Sequence, residues 1–132
     1  MGSVTNAQFR LLDATTRFYR EQNNEDPSVV LKAVGFILFD HRKLLESALE
    51  VLDQAEAQKR SIQQFQCEFS ERVFWRVPGS GDKNYTCFAQ YCSCPSFSNQ
   101  AKKTSERILC KHLLALQVDI STRRLEKQEM IA

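Results

Sequence analysis

The run Tyr85-Thr-Cys-Phe-Ala-Gln-Tyr-Cys-Ser-Cys-Pro-Ser-Phe97, answered by Ile108-Leu-Cys-Lys-His-Leu-Leu-Ala-Leu116, decides how this chain folds. It holds Cys92, Cys94, Cys110 and His112 in the spacing Cys-x-Cys-x15-Cys-x-His. Three thiolates and one imidazole are the donors that Zn²⁺ takes in a tetrahedron, and a closed set of four makes a structural site; a catalytic zinc keeps one position open for water. Two pairs, each split by a single residue, differ from four ordinary core residues scattered by chance. The spacing predicts one structural zinc ion.

Helical geometry refines the expectation. Successive helical residues rotate by about 100°, so Cys110 and His112 within one helix would point to nearly opposite sides. They share a metal if the helix begins at about Lys111 and leaves Cys110 in the loop or at the cap. Leu113, Leu116 and Ile120 then continue an apolar stripe behind His112. Cys92 and Cys94 lie on one side of a straight strand and converge best where the strand turns. Pro95 marks that end, because it cannot donate to a ladder.

Upstream, the chain reads as helical. Residues 5–21 carry Phe9, Leu12, Thr16 and Tyr19 at helical spacing, with Leu11 and Phe18 beside them. Asn23-Asn-Glu-Asp-Pro breaks that pattern, and Asp26 caps a second helix with Pro27 at its first position. Val29 to Phe39 is apolar nearly all round, which predicts burial on more than one side. After a bend at Asp40 or His41, a third helix runs to about Lys59 with Leu44, Leu45, Ala48, Val51, Leu52 and Ala55 on one side. His41 lies far in sequence from the cysteine pairs and reads as a bend residue, not a ligand.

From Ser61 the period changes. Ile62 to Phe69 reads as a strand, and Arg72 to Val77 alternates Val73, Trp75 and Val77 against Arg72, Phe74 and Arg76. Pro78-Gly-Ser-Gly-Asp turns the chain, and Asn84 to Gln90 returns. The expected class is α+β: N-terminal helices packed with a small antiparallel sheet in a ββα-type zinc module, and a C-terminal helix. The expected division is a helical region over residues 1–60 and a zinc module over 61–132, with strands at about 61–91, the zinc site at 92–112 and the helix from about 111. The module's core is too small to fold comfortably alone, so the metal should be indispensable. Beyond Ser121 the mixed charges of Arg-Arg-Leu-Glu-Lys-Gln-Glu fit either a longer helix or a frayed end.

Composition excludes several classes. The chain has 132 residues, 42% hydrophobic and 26% charged, which is neither disordered nor membrane-like. Its longest apolar run, Ala33 to Phe39, is too short to span a bilayer. Met-Gly-Ser-Val-Thr-Asn lacks an apolar signal region, which argues against secretion. Five cysteines then point to metal or thiol chemistry rather than disulfides, with Cys67 and Cys87 left as small core residues of strands. A net charge of +2 is too small to imply nucleic-acid binding by itself. Residues 83–118, however, carry Lys83, Lys102, Lys103, Arg107 and Lys111 against the single acid Glu106, so Lys102, Lys103, Arg107 and Lys111 are candidate DNA contacts. The glycines make neither a Walker nor a Rossmann pattern, and no nucleophile–base pair is evident; the expectation is no enzymatic activity.

The order Cys-x-Cys, loop, Cys-x-His resembles the SWIM zinc finger. With Tyr85-Thr-Cys before the first pair, Pro95-Ser-Phe after it and Ile108-Leu-Cys-Lys-His-Leu-Leu-Ala-Leu at the close, the chain resembles the SWIM-domain subunits of Shu complexes. The likeness is dense over residues 83–116, thinner over 61–82, and slight in the helical half. It implies a nuclear, non-enzymatic subunit that pairs with a RecA-like recombinase paralogue as an obligate heteromer. The pair would support the recombinase filament on single-stranded DNA, in homologous recombination and DNA repair. Phe9, Leu12, Phe18 and Tyr19 of the first helix are the candidate partner interface. Two rival readings are a generic SWIM adaptor binding protein or DNA in transcription or ubiquitin pathways, and a thiol redox protein using Cys92 and Cys94.

Overall fold

In a computed structural model, residues 3–22 and 26–122 are described in full and residues 128–131 by their backbone. Antiparallel pairing starts where the helical period gives out. Strand β1 (Gln63–Cys67) pairs with β2 (Val73–Pro78), β2 with β3 (Asn84–Phe88), and β3 with the two-residue β4 (Tyr91–Cys92). Three helices precede the sheet: α1 (Asn6–Glu21), α2 (Pro27–Ile37) and α3 (Arg42–Ala57). Two more follow the sheet's first four strands, α4 (Pro95–Ala101) and α5 (Lys111–Ser121). A final strand, β5 (Gln128–Ile131), lies parallel to β1, giving the order β4-β3-β2-β1-β5. The class is α+β, as the change of period implies. Of the C-terminal segment, Arg123 to Lys127 lies outside the described residues, and the backbone beyond it takes neither of the two expected forms.

Local chemistry sets the helix starts. Thr5 closes a capping box on α1: its hydroxyl accepts from Gln8 N, and the Gln8 side chain accepts from Thr5 N. The Asp26 carboxylate accepts from Ser28 N at the head of α2, ahead of Pro27, which needs no donor there. The Ser28 hydroxyl also donates to Asp26 Oδ1 at 2.7 Å, and this bond, then the one from Ser28 N, lowers the Asp26 carboxyl from its usual value. The third helix stops at Ala57, short of Lys59, which takes a left-handed φ of 58°.

One core joins the helical half to the sheet half. Phe9, Leu12, Val30, Val34, Ala48 and Leu52 pack in the same cluster as Val77, Cys87, Leu113 and Leu114. The organising element is α5, whose residues His112 to Leu116 are all buried because it lies between the N-terminal helices and the sheet. Two expectations need correction. Only Val30 and Val34 of α2, with Leu38 just beyond it, are buried, while Phe36 is 84% exposed and Phe39 75%. This helix packs one stripe against α1 and α5 and turns the rest outward. The segment after Cys94 is not all loop: the strand already ends at Cys92, and Pro95, expected to mark its end, occupies the first turn of α4.

The sheet's other face carries aromatic rings in register. Phe65 opposes and stacks on Phe74 at 5.2 Å, Phe74 meets Phe88 at 5.9 Å, and Phe88 opposes Tyr91. Such cross-strand pairs fix register as well as adding stability.

Candidate metal centre

The two halves of the site are held by different devices. On the sheet side, Cys92 ends β4 opposite Cys87. The next residue, Ser93, bonds twice to Thr86: its N–H donates to Thr86 O at 3.0 Å, and its hydroxyl accepts from Thr86 N at 2.9 Å. This pins the turn that brings Cys94 round beside Cys92. Cys94 is the N-cap of α4, where its sulfur accepts from Phe97 N at 3.4 Å. On the helix side, Cys110 is the extended N-cap of α5 (φ −94°, ψ 169°) and His112 sits in the first turn. That is the placement which the rotation per residue demands.

All four side chains are buried, and their ligand atoms lie within 4.8 Å of one another. Buried His112 Nδ1 has no hydrogen-bond partner among the described residues, a state that a metal bond would relieve. The thiols report the same crowding. Contact with the Cys92 thiol, then burial, pushes Cys110 up to about 12. For Cys92 the Cys110 contact pulls downward, but the Cys87 thiol and burial outweigh it and leave the group well above the usual range. Burial is the first cause that raises Cys94. Three sulfurs and an imidazole gathered this closely fit one structural zinc ion held by Cys92, Cys94, Cys110 and His112. Bound there, zinc supplies a cross-link between β4, the head of α4 and the head of α5.

The site borders a cavity of about 410 Å³ lined in part by Cys94, Cys110, His112 and Tyr85. The Tyr85 ring lies 4.6 Å from the His112 imidazole. Gly79 in turn lets Tyr85 lie close: a Cβ there would come within 2.4 Å of its ring. The hairpin holding both is clamped by Arg60, whose guanidinium donates to Gly79 O, Gly81 O, Lys83 O and Asn84 Oδ1. Neither Arg60 nor Ser93 stood out in the sequence, since a lone arginine after a helix and a serine between cysteines carry no periodic signal.

The remaining site candidates divide. Lys102, Lys103 and Lys111 are exposed, at the end of α4 and the start of α5. Arg107 is not among them in character. Its guanidinium grips Asp13 of α1 at 2.8 and 3.3 Å and lies over the Phe9 ring at 4.2 Å. It ties the metal loop to the first helix because Asp13, also bonded by Gln117, offers it a half-buried carboxylate. The expected partner quartet splits likewise. Phe9 and Leu12 belong to the core and are withdrawn from any outer surface, Tyr19 packs against that core, and Phe18 is 54% exposed. Cys87 is fully buried and Cys67 half-buried, both in strands and outside the ligand set.

No family model matches the chain, and no solved structure matches it. Curated relatives do. Over 72 residues, 53% of this chain, it is 42% identical to zinc finger SWIM domain-containing protein 7 of Mus musculus and 44% identical to that of Homo sapiens. Those matches span 45% and 49% of the relatives' own lengths, about half. The Danio rerio protein of the same name matches over 116 residues at 37% identity, covering 86% of this chain and 76% of the relative. A likeness of that extent, over a buried Cys-x-Cys and Cys-x-His set, places the chain in the family of zinc finger SWIM domain-containing protein 7.

Proposed function

We propose that this chain is a non-enzymatic subunit of a Shu-type complex, pairing with a RecA-like recombinase paralogue. The pair supports the recombinase filament on single-stranded DNA in homologous recombination and DNA repair, in the nucleus. The observation that carries the reading is the closed ligand set, whose four members are all buried and all protein-derived. Such a site builds a fold and leaves no coordination position for substrate. Binding, not turnover, is then the work of the molecule, and its large exposed side chains Leu11, Phe18, Phe36 and Phe39 are the usual currency of protein contact.

DNA enters through the assembled pair. Lys102, Lys103 and Lys111 are free to meet phosphates as point charges, in keeping with a filament accessory and not with base-specific recognition. The decisive experiment is co-expression of the tagged chain with each RecA-like paralogue of its own cell, read by mass spectrometry of the purified complex. One paralogue in equal amount with the chain, lost when His112→Ala removes the metal, is the expected result. A folded, zinc-loaded chain that retains none of them would leave the adaptor role in transcription or ubiquitin transfer.

A further inference from the structure

The first helix has two apolar sides, and only one is used among the described residues. Phe9, Leu12 and Thr16 face the core. Ala7, Leu11, Ala14 and Phe18 follow the spacing i, i+4, i+7, i+11 and are all exposed, Leu11 at 56% and Phe18 at 54%. That spacing is the seam of a coiled coil, in which large and small residues alternate to form knobs and holes. The seam is straight, about 16 Å long, and no described residue of this chain covers it.

Its charges are one-sided. Arg10, Arg17 and Arg20 are exposed along one flank. The carboxylate of that flank, Asp13, is already engaged by Arg107 and Gln117, leaving Glu21 at the helix end as the exposed acid of α1. Gln8 and Thr15 lie towards the other flank, where Gln8 Nε2 donates to Ile37 O and Asp40 Oδ1 beside α2. A second copy of the chain fits this pattern poorly. Paired antiparallel, its arginine flank meets the same flank of its mate; paired parallel, the arginines meet Gln8 and Thr15, which carry no charge.

We infer that the seam Ala7–Leu11–Ala14–Phe18 is a docking site for one amphipathic helix of a partner protein, with carboxylates on the flank that meets Arg10 and Arg17. Leu11 and Phe18 are the knobs, and the two alanines let the partner's backbone come close between them. The inference rests on the partner reading above only in taking the recombinase paralogue as the protein that supplies the helix. The seam's demand for an acidic flank is independent of which protein that is.

The full-length, zinc-loaded chain is titrated by fluorescence anisotropy with a three-heptad helical peptide that has Leu at the seam positions and Glu at the flanks. The same peptide with Lys for Glu is the control. The Glu peptide should bind at least tenfold more tightly, and Leu11→Asp or Phe18→Asp should weaken it at least tenfold with zinc content and melting temperature unchanged. Arg17→Glu should narrow or reverse the preference between the peptides. Equal binding of both peptides overturns the inference, as does an unaltered Leu11→Asp variant. So does self-association that Leu11→Asp abolishes, or uptake of the chain by phosphatidylserine vesicles in place of the Glu peptide. In co-expression, loss of the paralogue from Leu11→Asp at full zinc content supports the assignment, and its retention overturns the paralogue as occupant. Preference for the Glu peptide by a chain that captures no paralogue would sink the recombinase reading and leave the seam standing.

Discussion

The Tyr85 ring lies 4.6 Å from the His112 imidazole and so near Gly79 that a Cβ there would come within 2.4 Å of it. The hairpin turn thus reaches the metal centre through one aromatic side chain. Gly79→Ala would bring a Cβ to 2.4 Å from the Tyr85 ring, so the ring must move, and the imidazole with it. Overpacking of this kind costs about 1–3 kcal/mol. The Gly79→Ala variant should melt earlier and lose zinc faster to a chelator, and adding Tyr85→Leu should recover part of the loss. Additive effects in the double variant, measured by chelator competition, would show that Gly79 and Tyr85 act separately.

Metal content is the second expectation. The purified chain should carry one zinc ion, and Cys110→Ser or His112→Ala should abolish both zinc and the cooperative melt. Metal binding of zinc-finger peptides is worth roughly 10–16 kcal/mol at neutral pH, more than the net stability of most small domains. The raised thiols add a sign. Cys92, Cys94 and Cys110 hold their protons at neutral pH when gathered without metal, so loading must release them. Zinc titration in a weak buffer should liberate roughly three protons per ion, and occupancy should fall as pH falls. Freshly purified, chelator-free protein without zinc would falsify the site.

Much of this was legible because metal chemistry and helix geometry constrain short spacings tightly. Cys110 and His112 allowed only a helix start near Lys111, and the start is found there. Thr5, Asp26 and Pro27 mark helix heads for reasons confined to a single turn. The missed features depend on distant partners. Val29 to Phe39 is apolar enough for burial on several sides, yet which side meets α5 is decided by packing that sequence period does not encode. The same holds for Phe9, which looked like surface until Arg107, 98 positions away in sequence by their numbers, closed over it. Ser-Phe-Ser-Asn-Gln gave no helical period, and α4 forms because Cys94 caps it and Pro95 starts it.

The two other cysteines should be dispensable for metal. Cys87 touches the site through the Cys92 thiol but lies outside the ligand set, and Cys67 lies on β1. Cys67→Ala and Cys87→Ala should keep full zinc content, with Cys87→Ala losing about 1 kcal/mol of stability from its fully buried position. Zinc lost from Cys87→Ala while Cys92→Ser kept it would reverse the ligand assignment.

The basic residues of the metal loop should separate by role in salt titrations of the assembled complex on single-stranded DNA. Arg107 is spent on Asp13 and Phe9, so Arg107→Ala should lower the melting temperature and leave the salt slope as it was. A half-buried, doubly bonded guanidinium lost from its carboxylate costs about 1–3 kcal/mol. Among the described residues Lys102, Lys103 and Lys111 have no such engagement, and replacing all three with Ala should leave zinc content and melting intact. If they meet phosphates, the slope of log affinity against log salt falls by roughly 0.7 for each contact removed. The two variants therefore move different observables. A slope that drops with Arg107→Ala and holds in the triple lysine variant would reverse the assignment, placing the DNA path along α1 and the Asp13 side of the molecule instead of across the end of α4 and the head of α5.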